Sequence, residues 1–157
     1  MTKYDNLKLE NQLCFPLYAL SRLVNHEYQP FFEKMDITYP QYIVLMVLWE
    51  ANAPISVNEI SKRLILDTNT ITPLLKRMES RNFITRTRST EDERKVMVSL
   101  TAKGCELKDE CLEMTCILSA DMKDCPLSTE EITAMYTNLW KWIHYLQDKK
   151  QSIKKGE

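Results

Sequence analysis

Cys14 is the residue whose type and position are best suited to chemistry. Apolar side chains recur every three or four residues from Leu9 onwards, which predicts a helix over about residues 8–35. Pro16 is tolerated chiefly in the first turn of a helix, so the regular helix could instead begin near Asn11. With a start near Asn11, Cys14 lies within one turn of the helix N-terminus, a position that favours the nucleophilic thiolate. By position alone, the alternative is a small core residue, which is the usual role of a free cysteine.

A second group of functional side chains lies in the middle of the chain, between residues 62 and 95. This segment contains nine basic and five acidic residues, a surplus of four positive charges. Because the whole chain carries a net charge of −1, the remainder carries −5. A basic middle between acidic ends is typical of a protein that meets phosphates with one part only. The charge distribution therefore predicts a nucleic-acid contact in this segment.

Polar side chains are concentrated at the start of a helix predicted from Asp67 to about Asn82. In helix-turn-helix proteins this end of the second helix enters the major groove. Short hydroxyl and amide groups, which can reach base edges or phosphates, stand here at Thr68, Asn69, Thr70 and Thr72. Two cations that can neutralise the flanking backbone follow at Lys76 and Arg77. The alternative is an ordinary capped surface helix.

A charged hairpin is predicted after this helix. Residues 84–87 and 96–100 alternate in the manner of strands, and a polar tip at residues 89–93 joins them. The ribbon carries four cations, at Arg86, Arg88, Arg94 and Lys95. An arginine near such a tip can enter the minor groove, where the potential is most negative. Asp92 could hold the Arg94 guanidinium by a bidentate contact, or it could simply end the turn.

These elements together predict a mainly α fold with a small β-hairpin wing. Ser56 and Glu59 form the pattern of a capping box and begin a short helix over residues 57–64. The polar helix follows it after a tight turn, which makes a helix-turn-helix. With the buried helix at residues 42–50 in front and the hairpin behind, residues 42–101 form a winged-helix module within a single subunit of residues 1–157.

Helices flank this module at residues 8–35 and at residues 105–147, where Cys125-Pro126 breaks the second segment into two helices, and the tail at residues 148–157 is expected to fray. The first and the last of these helices carry apolar stripes. Because long terminal helices leave more apolar surface than one small core can cover, we expect the N- and C-terminal helices to form a homodimer. Closure of the core within a monomer is the alternative.

Composition argues against several other classes of protein. With 44% hydrophobic residues the chain is not expected to be disordered, and it lacks both an apolar run of membrane-spanning length and a signal peptide. Its five cysteines form no C-x-x-C pair, and an odd number is a poor disulfide framework, so without an export signal we expect reduced thiols in the cytoplasm. His26 and His144 lie far apart and no cluster has the spacing of metal ligands, so we expect neither a metal nor a cofactor.

Several blocks of the sequence resemble the MarR family of winged-helix repressors, and within it the branch that senses organic hydroperoxides. The wing, Asp92-Glu-Arg-Lys-Val-Met-Val-Ser-Leu-Thr101, is similar to the family signature D-x-R…V-x-L-T. Matches to the branch are Leu9-Glu-Asn-Gln-Leu-Cys-Phe15, Ile37-Thr-Tyr-Pro-Gln-Tyr42 and the segment Leu66–Glu79. The resemblance covers about residues 9–101 and weakens over the C-terminal third.

The resemblance implies that Cys14 is a peroxide-reactive thiol and that Tyr28 and Tyr39 hydrogen-bond to it. Reaction with a hydroperoxide gives a sulfenic acid, which condenses with another thiol. Cys14 and Tyr28 are 14 residues apart, which is about 21 Å along one helix, so they cannot touch within that helix. If both serve one site, Tyr28 must come from the partner subunit. Oxidation could then alter the spacing of the two recognition helices, which must match half-sites about 34–36 Å apart.

The identity of the second thiol stays open. The resemblance implies a resolving cysteine from the C-terminal helical region of the other subunit, where Cys116 is favoured over Cys111 and Cys125. In members with one cysteine, a low-molecular-weight thiol such as cysteine or bacillithiol takes this role instead.

Together these features predict a transcription regulator, a repressor by the resemblance, which binds a pseudo-palindromic operator in double-stranded DNA. An organic hydroperoxide acts as inducer by oxidising Cys14, and the operator is then released. One alternative is a repressor of the same fold that is released by a small aromatic ligand. Another is a thiol peroxidase, although the sequence holds no peroxidase motif and a basic hairpin would be idle in such an enzyme.

Overall fold

The computed structural model describes the backbone of residues 3–155 and the side chains of residues 3–120 and 123–153. Over that range the chain forms six α-helices and three β-strands, with short 3-10 turns at Asp5–Leu7, Leu9–Asn11 and Met122–Asp124. The elements are α1 Cys14–Met35, α2 Tyr39–Ala51, β1 Ile55–Ser56, α3 Val57–Arg63, α4 Thr68–Ser80, β2 Ile84–Arg88, β3 Val96–Leu100, α5 Ala102–Asp121 and α6 Thr129–Lys155. This order confirms the predicted mainly α fold, in which two short helices are followed by a hairpin.

Two compact units make up the chain, Met1–Leu118 and Ser119–Glu157. The first unit contains α1 to α4, the sheet and most of α5. The second contains α6. The predicted DNA-contacting segment and the predicted thiol and tyrosines all lie in the first unit.

The core of the first unit is built around α2, which the sequence predicted to be apolar on nearly every side. Val44, Leu45 and Leu48 of this helix are buried. One face of α4 packs into the same core through Ile71, Leu74, Leu75 and Met78. Burial of each such side chain contributes roughly 1.5–3 kcal/mol, so this face fixes the rotation of α4 about its axis. The polar residues of α4 are consequently turned outward.

The sheet has three strands in the order β1-β3-β2, one more than the predicted hairpin. β2 and β3 pair antiparallel from Ile84 opposite Leu100 to Arg88 opposite Val96. β1 pairs with the other edge of β3, with Ile55 opposite Val98. Sequence reasoning missed β1 because a strand of two residues is too short to show alternation. It anchors the start of α3 to the base of the wing.

The first helix begins later than residue 8, at Cys14. Pro16 favours this later start, since a proline, which has no N–H to donate, is tolerated best in the first turn of a helix. The residues before Cys14 form 3-10 turns instead. Cys14 is therefore the first helical residue, in agreement with its predicted place at a helix N-terminus.

The boundaries of the last two helices also differ from the prediction. α5 begins at Ala102 and not at residue 105, because the Thr101 side chain caps it by accepting the Gly104 N–H at 3.1 Å. α6 continues to Lys155, so the tail predicted to fray from residue 148 is helical over the described residues. Residues 148–155 contain neither glycine nor proline, and cations such as Lys149 and Lys150 suit a helix C-terminus. The remaining two residues of that tail lie outside the described range.

Candidate DNA interface and thiol site

The outer face of α4 presents the predicted DNA-contacting side chains together. Thr68, Asn69 and Thr70 are exposed in its first turn, and Lys76 and Arg77 are exposed further along. Thr72 is half-buried, and its hydroxyl donates to the Thr68 carbonyl at 2.8 Å. The exposed first turn can therefore reach base edges or phosphates, while Thr72 has already used its donor within the helix.

The turn before α4 is held in an unusual backbone conformation. Ile65 has φ 55°, in the left-handed region that costs a β-branched residue roughly 1–2 kcal/mol. Around it, the Leu66 N–H donates to the Ser61 carbonyl at 3.0 Å, and the Ser61 hydroxyl donates to the Leu66 carbonyl. These bonds fix the angle between α3 and α4 without the glycine that such a turn favours.

The wing tip carries Arg94, whose side chain is 92% exposed. Its Nε donates to Asp92 Oδ1 at 3.1 Å, and its backbone N–H donates to the same oxygen at 3.2 Å. The predicted bidentate contact is therefore wrong, because a single carboxylate oxygen accepts both bonds. Since the contact uses Nε, the outer edge of the guanidinium faces solvent and can meet a phosphate or a base.

Arg86, also predicted to bind DNA, lies between the wing and α4. Its Nε and Nη2 donate to Glu79 Oε2 at 2.9 and 2.7 Å, and its backbone N–H donates to Glu79 Oε1 at 3.0 Å. Only 20% of the side chain is exposed. Its guanidinium thus ties β2 to the recognition helix, and its charge is offset by the carboxylate.

Polar side chains from α3, α4 and the wing line a groove between these elements. Its lining residues include Ser56, Asn58, Thr68, Thr72, Arg86, Arg94 and Lys95. Sequence reasoning gave Asn58 no role, although its place just after the cap of the first helix of the motif was a usable signal. The groove has donors and cations on both sides, which suits a phosphate backbone.

The predicted thiol site is divided between the two ends of α1. Cys14 is exposed at the first residue of the helix, and Tyr28 lies about 21 Å further along it. Tyr28 and Tyr39 are together, with ring centroids 6.3 Å apart. Within one protomer the structure thus brings the two tyrosines together and leaves the thiol away from them.

Tyr28 and Tyr39 belong to a cluster of four aromatic rings. Tyr28 stacks on Phe32 at 5.5 Å, and the buried Tyr42 lies 6.2 Å from Tyr28 and 6.3 Å from Tyr39. Burial, followed by the nearby Cys111, raises the pKa of Tyr42 to about 12, so its hydroxyl stays protonated. Phe32 was not among the residues predicted to belong to the thiol site. The cluster fixes the two tyrosines on the surface of the first unit.

The three C-terminal cysteines proposed as resolving thiols have different surroundings. Cys116 is exposed on α5, Cys125 is half-buried before α6, and Cys111 is 3% exposed in the core. The Cys111 sulfur lies 3.6 Å from Met35 Sδ. Burial, followed by the charge of Glu110, raises the pKa of Cys111 to about 11. Both burial and a protonated thiol disfavour Cys111 as a reaction partner.

Alkylation rates should distinguish the buried from the exposed cysteines in the native, reduced protein. At pH 8 we expect iodoacetamide to modify Cys105, which is exposed, and to spare Cys111, because a thiol with a pKa of about 11 is almost wholly protonated there. Peptide mass mapping with and without urea measures this, and Cys111 should react only in urea. Equal rates for Cys111 and Cys105 in the native protein would show that the core does not protect this thiol.

None of the helices within residues 3–155 combines the length and the apolar character needed to cross a bilayer. In the same described part of the chain, no three His, Cys, Asp or Glu side chains are grouped in a way that could hold a metal ion.

Comparison with known proteins places this geometry in a family. The family described as Transcriptional regulator SarA/Rot matches residues 27–111. The organic hydroperoxide resistance transcriptional regulator of Bacillus subtilis (strain 168) is 50% identical over 112 residues, which are 71% of this chain and 76% of that protein. The relatives found are transcriptional regulators, as the sequence blocks at residues 9–101 predicted.

Solved structures of one relative, AbfR of Staphylococcus epidermidis, share the fold. Reduced AbfR bound to DNA is 34% identical with a TM-score of 0.73, and the match covers 92% of this chain and 99% of that chain. The disulfide form of AbfR is 35% identical with a TM-score of 0.61, over 93% and 97% of the two chains. This chain belongs to the SarA/Rot family of winged-helix, MarR-type transcriptional regulators and is homologous to a regulator of organic hydroperoxide resistance.

Proposed function

We propose that this regulator is a homodimeric repressor that releases its operator when an organic hydroperoxide oxidises Cys14. The observation that carries the proposal is the separation of Cys14 from the Tyr28–Tyr39 pair by about 21 Å along α1. A site that contains all three groups needs two copies of the chain, with the first helices crossing antiparallel. Oxidation then acts at the surface that sets the spacing of the two recognition helices.

Exposed apolar side chains on both terminal helices support the dimer. The N-terminal half of α1 and the turn before it expose Leu9, Leu13, Tyr18, Leu20 and Leu23. Taken by itself, α6 exposes Met135, Tyr136, Trp140, Tyr145 and Leu146. Exposed apolar surface of this extent is typical of an interface between proteins. Cys14 is exposed one helical turn before Tyr18, so a second copy that covers this end of α1 also covers the thiol.

The chemistry at Cys14 is a two-electron oxidation of sulfur. The thiolate attacks the terminal, hydrogen-bearing oxygen of the hydroperoxide, the O–O bond breaks, and the other oxygen leaves as an alkoxide that takes a proton from solvent to become an alcohol. The sulfur becomes a sulfenic acid and the peroxide is reduced. Hydrogen bonds donated by the Tyr28 and Tyr39 hydroxyls of the partner stabilise the reacting sulfur.

A second thiol then attacks the sulfenic sulfur, and a disulfide forms as water leaves. Cys116 of the partner is our candidate because it is exposed, and the disulfide form of AbfR supports a partner within the protein. Cys125 is the next candidate, and the burial of Cys111 disfavours it. Capture by a low-molecular-weight thiol is the other outcome to be tested.

On DNA, we propose that the first turn of α4 reads the major groove of a pseudo-palindromic operator. Thr68, Asn69 and Thr70 provide the exposed donors and acceptors. Lys76 and Arg77 neutralise phosphates, and Arg94 at the wing tip enters the minor groove. Two subunits present these groups to successive half-sites.

The test compares wild type with Cys14→Ser on a labelled duplex selected in vitro against the reduced protein. One equivalent of cumene hydroperoxide should release the wild type from the duplex. Non-reducing mass spectrometry should show first a mass increase of about 16 Da at Cys14, from the sulfenic acid, and then a disulfide that contains Cys14. Cys14→Ser should stay bound. Release of Cys14→Ser at the wild-type rate would contradict the proposal, and continued turnover of excess hydroperoxide would indicate a peroxidase.

A further inference from the structure

We infer that Arg81 is the joint through which movement of α1 reaches the recognition helix α4. The inference rests on the proposed redox function and concerns how the thiol helix controls DNA binding. It comes from the contacts at one end of α4, where side chains from two other helices meet.

Arg81, the C-cap of α4, holds the residue that ends α1. Its Nη1 donates to the backbone carbonyl of Asp36 at 2.8 Å, and its Nη2 donates to the Asp36 carboxylate. Asp36 is the C-cap of α1 and has φ 55°, in the left-handed region. One guanidinium therefore grips both the main chain and the side chain at the end of the helix that begins with Cys14.

Side chains of α5 and its cap hold the same end of α4. Lys103 Nζ donates to the Arg81 carbonyl at 3.2 Å and lies 4.4 Å from the centre of the Phe83 ring. The Thr101 hydroxyl donates to the Asn82 carbonyl at 2.6 Å. The C-terminal end of α4 is thus fixed to α1 and α5, whereas its first turn is the exposed end that faces DNA.

Because only one end of α4 is fixed in this way, a small rotation at that end displaces the first turn at the other. Thr68 and Arg81 are 13 residues apart, or about 20 Å along the helix. A rotation of about 10° at the fixed end moves the first turn by roughly 3.5 Å, enough to disturb contacts to base edges. The Glu79–Arg86 ion pair makes the wing follow α4, so both DNA-contacting elements shift together.

The test measures Kd for the selected duplex before and after Cys14 oxidation, with mass spectrometry confirming oxidation in every sample. Coupling between sites is commonly about 5- to 150-fold, and in Arg81→Ala we expect this oxidised-to-reduced ratio to fall towards 1. Asp36→Asn should lower the ratio less, because asparagine tolerates the left-handed backbone and keeps the carbonyl contact. Arg63→Ala is the matched control, since Arg63 pairs with Glu50 and Glu59 and does not contact α1 through them.

The outcomes distinguish failure of the Arg81 inference from failure of the proposed redox function. An unchanged ratio in both Arg81→Ala and Asp36→Asn would overturn the inference. Loss of DNA binding by reduced Arg81→Ala would also overturn it, because the contact would then be needed for binding and not for switching. If the oxidised wild type itself stays on the duplex, the proposed function fails first. Exposed ion pairs contribute little to stability, so these variants should fold.

Discussion

Replacing Arg94 by alanine should weaken binding of the selected duplex by about 10- to 100-fold and make it less sensitive to salt. Arg94 stands at the wing tip with its outer edge in solvent, and Asp92 has already oriented it. We therefore expect Arg94 to contact DNA without a large cost of ordering its side chain. Fluorescence anisotropy over a salt series measures both quantities, and the slope of log Kd against log salt should fall by about 1 per subunit.

Two other variants distinguish a wing contact from a general loss of charge. Lys108→Ala removes an exposed cation of α5 outside the groove and should leave Kd nearly unchanged. Asp92→Asn removes the charge that orients Arg94, so a smaller loss than that of Arg94→Ala is expected. Equal effects of Arg94→Ala and Lys108→Ala would mean that the wing makes no specific contact.

Replacing Gly104 by alanine should destabilise the fold by about 3 kcal/mol, as overpacking in a tight core does. A Cβ at this position would lie 2.1 Å from the backbone oxygen of Phe83. That oxygen accepts the Thr101 N–H at 3.1 Å, and the Gly104 carbonyl accepts the Trp49 indole N–H at 3.0 Å. Neither backbone can yield without breaking one of these bonds.

The expected loss of stability is opposite in direction to the usual effect of replacing glycine by alanine in a helix. Alanine in place of glycine normally stabilises a helix interior by roughly 0.5–1 kcal/mol, so a close approach reverses the usual result. Urea unfolding of Gly104→Ala, with Lys108→Ala as a surface control on the same helix, measures the difference. A free energy of unfolding equal to that of wild type would show that α5 can move away from Phe83.

Local patterns in the sequence predicted most of the fold. The Ser56 cap and the alternation in β2 and β3 each act over a few residues. The features that escaped prediction depend on contacts between distant parts of the chain. β1 forms because it can pair with the edge of β3, and the left-handed Ile65 is held in place by the bonds between its neighbour Leu66 and Ser61.

The candidate site was predictable in part for the same reason. The exposure of Asn69 and Arg94 follows from their places at the start of a predicted helix and beside a predicted hairpin tip. The ion pair of Arg86 with Glu79 could not be predicted in this way, because the position of an arginine in the sequence does not reveal its partner in the fold. The pairing of Tyr28 with Tyr39 came from family resemblance, and the aromatic cluster that fixes the pair needed coordinates.

The most direct measurement of the central claim uses a mixed dimer. One chain carries Cys14→Ser with its tyrosines intact, and the other carries Tyr28→Phe and Tyr39→Phe with its Cys14 intact. The two chains are co-expressed with different tags, and oxidation of Cys14 by cumene hydroperoxide is followed by mass spectrometry of its peptide. Homodimers of wild type and of the double tyrosine variant give the fast and slow references, which we expect to differ by about 10- to 100-fold from the loss of two hydrogen bonds.

If the site is built across the dimer, the single Cys14 of the mixed dimer meets the intact tyrosines of the other chain and oxidises at the wild-type rate. If Cys14 depends on tyrosines of its own chain, it oxidises as slowly as in the Tyr28→Phe, Tyr39→Phe homodimer. The first result is the one predicted here. The second would contradict the intersubunit site.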